Sequence, residues 1–208
     1  MRAEWTAECS DDAPAIVVPW ADAASGLHFV DLRAEPYDIA EVSEAEHFPA
    51  LGRALRSLNA TRSPFLSSKC DAWTLSPEEV AHLAAELDHF TSQDETLHGF
   101  GSYIDLLPRD RALFLSAHQQ QSWLDRFIRR AVRLEHNDVR LECTLRPAAF
   151  ESGATLLEGY GFTLFLFALG PEPASALRSW EIALEDAVAL LRAREFELQR
   201  TSATIDGA

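Results

Sequence analysis

Apolar positions along the chain change period several times, and each change marks an element. Residues 15–18 and 27–32 are short runs that read as strands, with Gly26 turning the chain into the second. Residues 37–42 fit a strand returning beside it. Ser43, followed by Glu44 and Glu46, reads as the cap and acidic first turn of a helix that reaches Asn59. Pro49 offers a second starting point inside that helix. Residues 65–73 form the next strand candidate. The sharpest local signal is Ser76-Pro77-Glu78-Glu79, which combines a cap, a proline at the first helical position and a carboxylate where a capping box needs one. Val80, Leu83, Leu87 and Phe90 then form one apolar stripe. Beyond the polar Gln93-Asp94-Glu95, the pattern predicts a strand over 100–107, a partner strand over 112–116, a helix over 118–134 and a strand over 139–146. Gly159-Tyr160-Gly161 opens a run over 162–169 that is apolar at both parities, which predicts cover on both faces. A helix over 174–198 follows, with the stripe Leu177, Trp180, Leu184, Ala187, Val188 and Leu191.

This order predicts an α+β fold, an antiparallel or mixed sheet packed against helices, in a single domain over 15–200. Leu51-Gly52-Arg53-Ala54-Leu55-Arg56 is echoed by Leu124-Asp125-Arg126-Phe127-Ile128-Arg129, and at the same offset Cys70 answers Cys143. With one residue of slippage, Phe29-Val30-Asp31-Leu32 answers Tyr103-Ile104-Asp105-Leu106. The echo suggests pseudo-repeats over 27–73 and 100–146, followed by a strand and helix over 159–198. A pseudo-duplicated split βαβ (ferredoxin-like) arrangement is the simplest expectation, although the Ser76-capped helix has no counterpart. Residues 1–14 are acidic and poorly patterned, and 201–208 are small and polar; both are expected to be flexible ends.

Charge narrows the partners. The chain carries 33 acids against 18 bases, a net −15 at pH 7. Nucleic acid and anionic lipid both need Lys and Arg to replace counterions, so neither is expected as a partner. A basic partner, or simple solubility, fits better. All bases but Lys69 are Arg; with abundant Ala and Leu, this points to a GC-rich bacterial genome. The three cysteines, Cys9, Cys70 and Cys143, form neither a disulfide framework nor a metal knuckle. No secretory signal is evident, and no apolar run is long enough to span a bilayer as a helix. A cytoplasmic location is expected.

The chain offers little recognisable chemistry. Glu44/His47, Glu79/His82 and Glu86/His89 have the Glu-x-x-His spacing of di-iron bundles. His82, Glu86 and His89, however, lie opposite their helix's apolar stripe, so a solvated face is expected and no metal site is assigned. Cys70 and Cys143 read as small core hydrophobes rather than activated thiols. Gly-x-Ser-x-Gly and Ser-x-x-Lys are absent, and the Gly-x-Gly pairs open strands rather than joining a strand to a helix. Arg126, Arg129, Arg130 and Arg133 fit a solvated helical face.

The echo supplies the candidate site. Alternation puts Phe29 and Asp31 on the face opposite Val30 and Leu32, and Tyr103 and Asp105 opposite Ile104 and Leu106. If helices cover the aliphatic side, a pseudo-twofold brings Asp31 and Asp105 together between Phe29 and Tyr103. Two functional readings follow. The first is a non-catalytic binding or protein-interaction domain, homodimeric through the apolar strand and helix stripe. The alternative is a small-molecule-binding domain or enzyme whose pocket over the sheet uses the paired aspartates. No cofactor is indicated, and an unidentified small-molecule ligand belongs to the second reading.

Overall fold

In the computed structural model, residues 1–10, 12–89, 96–152, 155–193 and Ile205 are described. In chain order they form β1 (Arg2–Ala7), β2 (Ile16–Val18), a 3-10 helix at Pro36–Glu41, α1 (Ser43–His47) and α2 (Pro49–Asn59). Next come β3 (Phe65–Thr74), α3 (Pro77–Glu86), β4 (His98–Pro108), α4 (Arg111–Phe114) and α5 (Ala117–Ala131). β5 (Val139–Ser152), β6 (Thr155–Gly170) and α6 (Pro173–Leu191) complete the set.

The strands make one six-stranded mixed sheet in the order β1-β5-β6-β4-β3, with β2 lying further along the β5 edge that β1 occupies. β1 and β2 run parallel to β5; the other pairs are antiparallel. Alternation divides the faces. Ile104 and Leu106 of β4, Leu164 and Leu166 of β6, and Leu141 and Cys143 of β5 are buried against α2, α5 and α6. Trp180 of α6 sits in this layer fully buried, its Nε1 donating to Ser102 Oγ at 2.8 Å. The fold is therefore α+β, with three helices on one side of the sheet.

The opposite face is covered only at its two ends. α3 brings Val80 and Leu83 against Leu75 and Leu169. β2 and α4 bring Ile16, Val18 and Phe114 against Leu66, Leu107 and Phe150. Glycines permit both approaches: a Cβ on Gly99 would lie 2.6 Å from Leu75, and one on Gly159 would lie 2.4 Å from the Phe114 carbonyl oxygen. Between these ends the sheet stays half-open.

The split βαβ expectation is met in one place: β4 and β5 are parallel, α5 connects them, and antiparallel β6 lies between. β3 fills the position beside β4 that a final strand after α6 would take. Cys70, Ile104, Leu164 and Cys143 form one cross-strand row. The units predicted over 27–73 and 100–146 do not correspond, however, because residues 27–32 form no strand. There Asp31 builds a turn: its carboxylate accepts from the Arg33 N–H, and its carbonyl accepts from the N–H groups of Ala34 and Glu35. That local alternative competes with strand pairing.

Other differences have equally local causes. Of residues 37–42, expected as a strand, 37–41 lie in the 3-10 helix that starts at Pro36, and Val42 is its C-cap. Ser43 lies inside α1, whose cap is Val42, and the helix breaks at Phe48 so that α2 restarts at Pro49. Residues 112–116 are not a strand, because Asp110 caps α4 and Ser116 caps α5. The stretch expected to be a loose N-terminus contains β1: Trp5 Nε1 donates to Asp125 of α5, and Glu4 pairs with Arg140 at 2.7 Å. α6 ends at Leu191. Phe90, residues 93–95 and residues 194–200 lie outside the described residues. Of the tail over 201–208 only Ile205 is described; it is buried, with its N–H on the Arg109 carbonyl.

β3 contains an irregularity between Ser67 and Cys70, held by buried Asn59. Asn59 Nδ2 donates to the Leu55 carbonyl at 2.9 Å and to Ser67 Oγ at 2.7 Å, while its Oδ1 accepts from the Ser67 N–H at 3.2 Å. Asn59→Ala would leave that buried N–H without its partner, a cost of roughly 1–3 kcal/mol. The thermal midpoint should fall by several degrees in scanning calorimetry; a shift within about one degree would show that the bulge does not depend on Asn59.

Candidate functional site

Because Ile104 and Leu106 face the helices, Tyr103 and Asp105 face the half-open side. β6 sets Phe165 beside Tyr103 and Thr163 beside Asp105. The β3 irregularity brings in Lys69, β5 brings in Arg146, and residues 14–17 pass over them into β2. Together they line a cavity of about 250 Å³ over the sheet.

Asp105 is the unusual member. It is only 8 % exposed, and among the described residues its carboxyl has one hydrogen bond, from Thr163 Oγ1 to Oδ1 at 2.6 Å. Burial pushes its carboxyl above the ordinary range, outweighing the opposing Thr163 hydrogen bond and the charges of Arg146 and Lys69. Burial, then the carboxylates of Asp105 and Asp71, pushes the Tyr103 hydroxyl up to about 12, so it remains a neutral phenol. Burial and the carboxylates of Glu44 and Asp71 likewise push the Cys70 thiol up to about 12. Neither group is poised as a nucleophile near neutral pH.

The two cations are differently engaged. Lys69 Nζ lies 4.8 Å from the centre of the Trp20 ring. Arg146 Nη2 pairs with Glu8 at 3.0 Å, whereas its Nε is buried without a hydrogen-bond partner among the described residues. A second cavity, of about 270 Å³, shares Lys69 and Tyr103 with the first and is lined by Trp20, Glu41, Glu44, Cys70 and Asp71. Across the middle of the half-open face, Trp73, Tyr103, Phe165 and Phe167 form a chain of half-buried rings with centroids 6.1–6.4 Å apart. The full cover expected on both faces of residues 162–169 is therefore incomplete at Phe165 and Phe167.

Of the four residues expected to form the site, Tyr103 and Asp105 come together and Phe29 and Asp31 do not join them. Phe29 packs against the cluster of Ile16, Val18 and Phe150. Asp31 is held by Arg33 in two hydrogen bonds of 2.7 and 2.6 Å and lines neither cavity. Burial works against its ionised form, but the bonds and charge of Arg33 outweigh it and hold Asp31 below the usual carboxylate range. The paired-aspartate expectation is thus corrected.

The other candidates serve structure. Glu79 closes the Ser76 capping box. Glu86, expected to face water, turns to Arg140 at 2.6 Å, while His89 pairs with Asp138 at 2.8 Å. Cys143 is fully buried. Among the described residues, no three His, Cys, Asp or Glu side chains gather as a metal site, and no helix is long and apolar enough to cross a membrane. Sequence reasoning missed Lys69 and Arg146 as site residues; their convergence on Asp105 depends on strand order. No family model matches the chain, and no curated protein or solved structure is similar to it.

The raised carboxyl of Asp105 has a consequence for stability. Its proton binding stabilises the fold fully below the ordinary aspartate range, and that contribution is lost as pH rises through the folded-state value. Asp105→Asn removes the titration while keeping an acceptor for Thr163. Melting curves from pH 4 to pH 7 should therefore show the variant gaining stability relative to the wild type as pH rises. Parallel curves would mean that Asp105 is not held above its ordinary range.

Proposed function

We propose that the protein is a small-molecule-binding domain whose site is the cavity over Asp105. The observation that carries this reading is a buried carboxyl, with one hydrogen bond among the described residues, in the wall of a cavity that also receives Lys69 and Arg146. A buried polar group lacking part of its hydrogen bonding is costly, and a ligand can supply what the protein withholds. At about 250 Å³ the cavity lies below the ~300–1,000 Å³ typical of drug-sized ligands, which suits a small metabolite. Tyr103 and Cys70 both hold their protons well above neutral pH, which disfavours either as a nucleophile.

The interaction-domain reading has less support. The apolar strand and the α6 stripe that suggested a homodimer are largely buried within the chain's own core. Five acids over 35–46 without a base would suit a basic partner, but a solvated surface explains them equally well. Three unpaired thiols support a reducing, cytoplasmic setting.

Amide spectra of the intact protein, titrated separately with propionate, propylammonium and glycerol at millimolar concentrations, test the site. At least one probe should shift the amides of Tyr103, Asp105 and Thr163 saturably, and Asp105→Leu should remove the response. If none of the three moves those amides, the cavity is not a binding site.

A further inference from the structure

We propose that this cavity takes the carboxylate of a small organic acid, held between the Lys69 ammonium and the Arg146 guanidinium with the Asp105 carboxyl donating a hydrogen bond to it. The inference rests on the cavity being the ligand site and names the class of ligand.

Charge placement carries the argument. In a chain of net −15, the sole lysine and a largely buried arginine converge on one cavity. A cationic ligand would face both of them. Arg146 gives Nη2 to Glu8, and its buried Nε has no hydrogen-bond partner among the described residues. A guanidinium deprived of water gains most from a carboxylate, which it binds through paired N–H groups. Ile16, Val17 and Phe165 supply apolar walls for the body of the acid.

Asp105 sets the condition under which an anion binds. A carboxylate beside an ionised aspartate is repelled, but one beside a protonated aspartate accepts its hydrogen bond. Binding is therefore coupled to uptake of one proton by Asp105. The groups facing Asp105 are Lys69 from β3, Tyr103 from β4 and Arg146 from β5, with Glu8 behind Arg146, Cys70 beside Lys69, and the carboxylates of Asp71 and Glu44 acting on Tyr103 and Cys70. Thr163 from β6 and residues 14–17 bring no titratable side chain. Tyr103 and Cys70, each pushed up to about 12, keep their protons between pH 5 and 8.

Amide spectra of the whole protein, titrated at pH 5.5 and 7.5 with propionate, propylammonium, glycerol and inorganic phosphate, test the inference. Propionate should shift the amides of Lys69, Tyr103, Asp105 and Thr163, and should bind more tightly at pH 5.5 by up to about tenfold per pH unit. Lys69→Met and Arg146→Met should each weaken it by about tenfold or more. Asp105→Asn carries a permanent N–H donor and should bind propionate with no pH dependence, which a merely structural role would not produce. Preference for propylammonium, glycerol or phosphate at these amides would overturn the organic-acid assignment while leaving the site in place. A silent cavity with all four probes would overturn the site itself.

Discussion

Period-two burial in β4 and β6 is the constraint on which the rest of the molecule depends. Ile104, Leu106, Leu164 and Leu166 are at most 1 % exposed beneath α2, α5 and α6. A slip of one residue in either strand would turn these side chains to the half-open face and bring Tyr103, Asp105, Thr163 and Phe165 under the helices. Each large aliphatic lost from the core costs about 1.5–3 kcal/mol of burial, so the register is strongly held. The register therefore fixes which side chains reach the site without help from the site itself. Asp105 is kept on its face by neighbours that point away from it.

The same sheet would bury its second face completely if a further layer of helices crossed it. Two packed ends prevent that. α3 docks where Gly99 allows its side chains down onto β4, and α4 docks where Gly159 allows the Phe114 backbone onto β6. The stretch between them retains four half-buried rings and a cavity. Its cation from β3 arrives through the irregularity at Ser67–Cys70, which Asn59 ties to α2. Helix packing, strand irregularity and charge placement are therefore linked through one buried amide.

Much of this was legible where the signal was local. Ser76-Pro77-Glu78-Glu79 forms the complete capping box, Pro49 restarts a helix, and Tyr103 and Asp105 face away from Ile104 and Leu106. Some local signals were present but outweighed. Arg2-Ala3-Glu4-Trp5-Thr6 alternates as an edge strand should, yet its acidic context reads as a loose terminus. Asp110 and Ser116 are both good caps, and together they override the strand propensity of Leu113-Phe114-Leu115. Asp31 has a strand-like context, but its carboxylate and carbonyl close a turn that no apolar pattern records. The meeting of Lys69, Asp105 and Arg146 joins three strands far apart in sequence, and only the strand order brings them together. Asn59 stands in a glycosylation-like triplet, which says nothing of its role in the bulge.

Asp105 remains the position where local and global requirements disagree. Its row across the half-open face continues through Thr163 and Thr144 to Thr6, all small, neutral and suited to a strand. A threonine or valine at 105 would continue that row without burying a charge, and replacing buried ionisable groups by neutral ones is often stabilising. Sequences that fold well are consistent at every level, and the departures cluster where function requires them. The acid stands where the chain's sole lysine and a half-satisfied arginine also meet. Those three groups conflict with the row's packing logic but agree with one another as receptors for a ligand's polar end.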